Sequence, residues 1–441
     1  MKKFFTTIKN IFSIEELKNR ILYTIGLLVI FRLGSFIVLP GVNPDQLTGS
    51  SEGIFGMLNV FLGGAFNRAS IFALGIMPYI SASIVIQLLS VAVPYFQRMQ
   101  KEGESGRKKI NQITRILTII ICLAQSSGYL VTTIPSEAIT INPLFFKLSS
   151  TLILTSGTIF CMWLGERITE RGIGNGISML IMIGIISGLP AGLYGEVETR
   201  EFNGMLVLLI EFIVLFFIVM GVVGLTTAVR RVPVQYARQV VGAGRKQVGK
   251  SQRSYLPLKV NAANVMPIIF AQSLMFLPSL VAGIWAETND TAHYINTKFS
   301  TFTSWEYNLT FAILIILFTF FYTAITINPN QMADDMKRNG AFVPGVKPGK
   351  PTSDFISTVL DRITLPGALF LAVVAILPAF ANGAGVTYGF AQFFGGTSLI
   401  IMVGVTLDTL QQIESYLLMR HYEGMMKSGK MKGRKNVAAV Q

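Results

Sequence analysis

Residues 204–229 read GMLVLLIEFIVLFFIVMGVVGLTTAV, with Glu211 as their sole charge, and Arg230 and Arg231 follow at once. A helix needs about 20 apolar residues to cross the hydrocarbon of a bilayer, and this run has 26. It does not stand alone. Comparable runs cover 21–39, 70–93, 113–133, 148–164, 174–189, 265–285, 307–327, 365–380 and 397–418, those at 174–189 and 365–380 being short. None alternates with the two-residue period and ten-residue length of a membrane β-barrel, the other architecture that can span lipid. The expected fold is an all-α polytopic membrane protein with ten transmembrane helices.

Composition agrees. Of 441 residues, 51% are hydrophobic and 14% are charged, where soluble domains carry about 25% charged residues. The net charge of +14 could point to nucleic acid, but its placement points to a membrane. Of 37 Lys and Arg, 32 fall in the two termini and in alternate loops. The opposite loops hold only Arg68, Lys147, Arg200 and Lys298, and Arg32 lies inside the first run. By the positive-inside rule both termini are cytoplasmic and the number of spans is even. The first run is too long for a signal h-region and lacks a small-residue cleavage site, so it is expected to remain as the first helix. Cys122 and Cys161 fall within apolar runs and read as small buried thiols. No Cys/His spacing suits a metal.

Five runs precede the acidic connection at 190–203 and five follow it, which divides the chain into 1–195 and 196–441. An odd number of spans in each part gives the two parts opposite orientation, an inverted repeat that often places a pathway at its interface. Residues 54–65, IFGMLNVFLGGA, are apolar but only half a membrane long, and Gly63 and Gly64 interrupt them. Such a piece is re-entrant or interfacial, and irregular backbone at membrane depth survives only inside protein or beside a cavity. Two connections, about 230–260 and 328–364, are longer than joining requires, and long ordered loops tend to be functional.

Other motifs carry less. Residues 244–251, GRKQVGKS, match the phosphate-binding loop pattern, yet no βαβ context surrounds them. GIGNG at 172–176 lacks the last glycine of a dinucleotide fingerprint and reads as close backbone packing at a helix start. Charges inside the runs are Arg32, Glu211, Asp408 and Glu414. They are functional candidates by default, but they form no proton relay or solute cage. A secondary transporter with inverted repeats is the alternative, and a nucleotide-driven pump rests on 244–251 alone.

NRASIFALGIMPYISASIVIQLL (67–89), KEGESGRKKI (101–110), TERGIGNGIS (169–178), RRVPVQYA (230–237), LPLKVN (256–261), NGAFVPGVKPG (339–349) and GGTSLIIMVG (395–404) closely resemble the SecY family, the channel subunits of the bacterial protein translocase. The resemblance runs in order through nearly the whole chain. It implies a clamshell of two five-helix halves around an hourglass pore, with 54–67 as a plug: Gly56, Met57, Leu58, Asn59, Val60, Phe61, Leu62, Gly63 and Gly64. By motif, the family's ring of six apolar constriction residues falls on Ile76, Ile80, Ile177, Ile181, Ile269 and Ile401. An apolar constriction can block ions by dewetting. Spacing alone would make these isoleucines core or lipid-facing. A lateral gate would lie between the second and third spans and the seventh and eighth, flanked by Ser83, Gln87, Gln125, Ser126 and Gln272.

The two long loops match the family's docking platform for the ribosome and the motor ATPase SecA. Arg230, Arg231, Arg238, Arg245 and Lys246 suit ribosomal RNA phosphates. Lys347 stands where many relatives carry arginine, and it offers a point charge without the bidentate fork. The resemblance further implies SecE and SecG as small membrane subunits, signal sequences and nascent polypeptides as clients, anionic lipids as surroundings, and residence in the bacterial cytoplasmic membrane. No cofactor is implied, and the chain is expected to be a passive channel rather than an enzyme.

Overall fold

The computed structural model describes residues 14–47, 59, 62–200, 204–236, 253–285, 289–301 and 303–427. Of the plug residues, Gly56, Met57, Leu58, Val60 and Phe61 lie outside these, as do Arg238, Arg245, Lys246 and the 244–251 motif.

Most of the described residues are helical. In order come α1 (Glu15–Gly34), α2 (Met77–Ala92), α3 (Pro94–Lys101), α4 (Glu104–Thr133), α5 (Pro143–Arg171), α6 (Gly176–Arg200) and α7 (Met205–Thr227). Then β1 (Val229–Tyr236), β2 (Arg253–Lys259), α8 (Met266–Trp285), α9 (Asp290–Ser300), α10 (Trp305–Thr326), α11 (Pro329–Arg338) and β3 (Ala341–Phe342) follow. Finally come α12 (Lys350–Gly383), α13 (Tyr388–Ala391) and α14 (Gly396–Lys427). Among the described residues, six helices (α4, α5, α6, α7, α10 and α12) are by themselves long and apolar enough to cross a membrane, and α2 with α3 forms a bent candidate. With α1, α8 and α14 they stand where the ten runs lie. The protein is a multi-pass helical membrane protein.

Local chemistry sets the boundaries. Val93 is extended (φ −111°, ψ 120°) because Pro94 follows it, and α2 and α3 bend by 101° at that point. Asn142 caps α5 by accepting from the Leu144 amide, and Asn328 caps α11 by accepting from those of Asn330 and Gln331. Both are Asn-Pro starts, with proline at the first helical position where its missing N–H costs nothing. Pro190, Pro278, Pro366 and Pro378 lie inside helices, where neighbouring helices and side chains tolerate them.

Three boundaries differ from expectation. The second run was expected to be helical from 70, but helix begins only at Met77, and the stretch before it is turn. Ala69 and Gly75 have positive φ there, which a helix cannot hold. The short runs at 174–189 and 365–380 extend into α6 of 25 residues and α12 of 34. α6 also continues through 195 to Arg200, so the connection to α7 is shorter than the acidic 190–203 stretch implied.

The two long loops are not separate. β1 pairs antiparallel with β2, from Val229↔Lys259 to Gln235↔Arg253, and β3 adds to the other side of β1 at Gln235 and Tyr236. Val232, Leu258 and Val343 pack with Ile356 and Leu360 of α12 beneath this three-stranded platform. Pro257 sits on the outer strand and Pro233 where β3 does not reach, the positions at which a sheet tolerates proline. Above the platform one apolar cluster joins α1, α2, α5, α6, α8, α10, α12 and α14. A second cluster gathers the turns before α2 against α4 and α5.

Candidate pore and lateral gate

The six isoleucines come from four helices or their caps: Ile76 and Ile80 at the start of α2, Ile177 and Ile181 at the start of α6, Ile269 in α8 and Ile401 in α14. Ile76, Ile80, Ile181 and Ile401 belong to the central apolar cluster, and Ile177 and Ile269 pack against it. Ile76, Ile80, Ile181 and Ile401 are buried, and Ile177 and Ile269 are half-buried. Ile76, Ile80, Ile181 and Ile269 line one cavity with Met77, Gln272, Ser273 and Leu62, while Ile177 and Ile401 pack outside its wall. The cavity measures about 20 Å³, room for about one water. The cavity is small, and branched apolar side chains make up most of its wall.

Leu62, Gly63 and Gly64 form the root of the expected plug. Leu62 reaches the cavity and leans on Gly75, where an added Cβ would meet Leu62 Cδ2 at 2.4 Å. Gly63 has φ +62°, and a Cβ there would collide with Arg32 Nη1 and Ser187 Oγ and press on Gly184 Cα. Only glycine allows this approach to α6. Arg32 Nη1 donates to the Gly63 carbonyl at 2.7 Å, which gives the charge inside the first run its use. The Arg32 and Arg68 guanidinium groups also lie over the Phe36 ring, at 4.9 and 4.3 Å. Asn59 accepts from the Gly64 amide with its carbonyl and from the Asn67 amide with its side chain. Tyr129 of α4 donates to the Phe66 carbonyl at 2.7 Å. The root is thus tied to α1, α4 and α6.

Of the polar residues expected at the gate, Ser83, Gln87 and Ser126 bond within their own helices, and Gln125 is half-buried. Gln87 donates to Ser83 and Ser126 to the Leu123 carbonyl. Gln272 is brought to the constriction, where its Oε1 is buried without a hydrogen-bond partner. Where α2 meets α8 the contact is therefore largely apolar.

Sequence reasoning missed the opposite junction. There Glu196, fully buried, accepts from Arg200 Nε at 2.8 Å, from the Thr387 amide at 2.7 Å and from the Thr387 hydroxyl. Arg200 Nη2 donates to Glu211 of α7 at 2.6 Å and to the Gly385 carbonyl at 2.7 Å. Gly192 and Gly389 meet backbone to backbone beside this network. At the other end of α6, the Gly174 amide donates to Gln412 of α14 at 2.8 Å. Gly176 lies so near Gly165 that a Cβ would meet its carbonyl at 2.0 Å, the close packing read from GIGNG.

On the platform Arg230, Arg231 and Lys347 are exposed, while Val232 and Val234 point inward. Thr352 holds the turn of Lys347 by donating to its carbonyl at 2.9 Å.

The SecY family model matches residues 70–410. The protein translocase subunit SecY of Halalkalibacterium halodurans is 43% identical over 447 residues, covering 96% of this chain and all of that one. That of Escherichia coli is 42% identical over 434 residues, covering 96% of each. Among solved structures, a protein-conducting channel shares the fold with a TM-score of 0.65 at 16% identity, over 90% of this chain and 92% of the other. Sec61 in a canine ribosome–channel complex does so with a TM-score of 0.60, at 16% identity over the same shares. The ordered motifs and these matches agree, and the chain belongs to the SecY family.

Proposed function

We propose that this chain is the channel-forming subunit of a protein translocase. It conducts unfolded secretory polypeptides through its constriction and releases apolar segments sideways into lipid between α2 and α8. The observation that carries this reading is the closed cavity of about 20 Å³ walled by isoleucines from α2, α6 and α8, with Leu62 against it. The isoleucine side chains offer a passing peptide no hydrogen bond to hold it, and they expel water when they close. A small-solute carrier would need polar groups converging there, and Gln272 and Ser273 are the polar residues in the lining.

Helices before and after the α6–α7 connection act as two halves of a clamshell. Ile177 and Ile401 complete the ring, and residues 54–67 plug it. Ser83, Gln87, Gln125, Ser126 and Gln272 flank the gate. The platform docks the ribosome through Arg230 and Arg231, together with Arg238, Arg245 and Lys246, which lie between β1 and β2 in sequence, and Lys347 meets the motor SecA, which supplies the energy. Support comes from the exposed arginines and from a fold-mate solved in a ribosome–channel complex. SecE and SecG accompany the chain in the cytoplasmic membrane of a bacterium, with both termini cytoplasmic, as the distribution of cations supports.

The test is conductance of the chain, purified with its accompanying subunits, in planar bilayers. Near silence in the parent and large, flickering currents after deletion of 56–66 are expected. Silence in both, with saturable uptake of a small solute, would overturn the channel reading.

A further inference from the structure

The ring residue Ile401 is fully buried, yet it does not line the constriction cavity. Its position is set by the chain that leads to it. That chain leaves α12, turns at 384–387, forms α13, turns again and enters α14 at Gly396. The second turn has no slack: a Cβ on Gly395 would meet the Val374 carbonyl at 2.5 Å, and Gly396 has φ +63° against Pro378. The first turn is held from outside its own helices, by Glu196 and Arg200 of α6. Close-packed segments transmit displacement instead of absorbing it.

We propose that Glu196 is a positioning residue of the pore, which fixes Ile401 behind the cavity wall by gripping the amide and hydroxyl of Thr387. The inference rests on the constriction reading above. Arg200 balances the buried Glu196 carboxylate and ties it to Glu211 and Gly385. Buried charges persist only when paired in this way. Loss of charge on Glu196 loosens the 384–387 turn, and Ile401 then moves with α14.

The experiment uses the chain purified with its accompanying subunits. Basal ion current is measured in bilayers without substrate. In parallel, an Ile401→Cys variant is labelled with a membrane-impermeant maleimide. Glu196→Gln and Thr387→Val should each raise basal current roughly tenfold, the change allowed by losing about one charge-assisted hydrogen bond. The double variant should exceed neither by much. The thiol at 401 should become reactive in the Glu196→Gln background. Thr387→Ser keeps the hydroxyl and should stay closed, as should Glu198→Gln, an exposed carboxylate on the same helix. A leak from Ile401→Gly with none from Glu196→Gln or Thr387→Val would overturn the positioning role alone. No leak from Ile401→Gly would overturn the constriction reading with it. If Glu196→Gln fails to assemble, Thr387→Val decides.

Discussion

Two of the junctions between the helices before residue 200 and those after it, among the described residues, are built from different chemistry. Where α6 meets α13 and α14, a buried carboxylate, a guanidinium, a hydroxyl and backbone groups interlock at one end, and Gln412 holds the Gly174 amide at the other. Where α2 meets α8, isoleucines line a small cavity and the Gln272 oxygen goes unpaired. Charge-assisted hydrogen bonds contribute about 1.5–3 kcal/mol each when buried and demand fixed geometry. Apolar contact is non-directional and re-forms in many arrangements. On the proposed reading, the interlocked junction is the one that holds and the apolar junction the one that parts.

The largest effect should come from locking the apolar junction. With Ile80→Cys and Ile269→Cys joined by a short thiol cross-linker, transport of a labelled secretory polypeptide into vesicles should fall to background. Each single variant should retain transport. The native Cys122 and Cys161 are buried and do not interfere. Undiminished transport by the cross-linked pair would show that this junction does not open.

A wedge in the interlocked junction should come next. In Gly192→Leu the new Cβ meets the Gly389 carbonyl at 2.9 Å, and overpacking of this kind costs about 1–3 kcal/mol. Thermal unfolding in detergent should fall accordingly. Gly195→Leu, one turn on with open space around it, should leave the midpoint unchanged. Equal effects from the two would mean that this junction yields as readily as the other.

A smaller change sharpens the apolar side. Gln272→Leu removes a buried oxygen with no partner, whose burial costs about 1–3 kcal/mol. The closed junction should therefore strengthen, with fewer spontaneous openings and a higher midpoint. More openings would show that Gln272 holds the junction shut.

The smallest effect on either junction should come from the platform. Arg230→Gln and Arg231→Gln should each reduce the salt dependence of ribosome binding by about one unit of log–log slope, with basal current unchanged. A rise in current would couple the platform directly to the pore.

The fold was legible because lipid imposes a one-dimensional rule. Every backbone polar group must be satisfied within the segment, so length and apolarity of a run suffice to announce a helix. Runs such as 204–229 and 307–327 gave their helices to within a few residues. The rule failed at 70–76, where an apolar stretch is turn: its conformation is dictated by positive φ at Ala69 and Gly75 and by contact with Leu62. It was equally silent on β1, β2 and β3, since the partners lie far apart in sequence and each strand is short.

Of the candidate site, Ile76 with Ile80 and Ile177 with Ile181 each share a helix face by spacing, yet spacing cannot tell a pore from a core. Motif resemblance singled them out, and packing alone brought four of the six isoleucines around one cavity. Arg32 and Glu211 were visible as charges in apolar runs, but their partners, Gly63 and Arg200, carry no signal of that role. Glu196 was hidden altogether, since it sits among other acidic residues in what read as a surface connection. By itself the sequence determined that this is a helical membrane protein, how its helices succeed one another and that its cations gather in alternate loops. Which junction is bonded and which is merely apolar was decided only in three dimensions. Hydrophobic runs act through local length and composition, whereas a hydrogen bond between Glu196 and Thr387 exists only once 191 residues of chain have brought the two together.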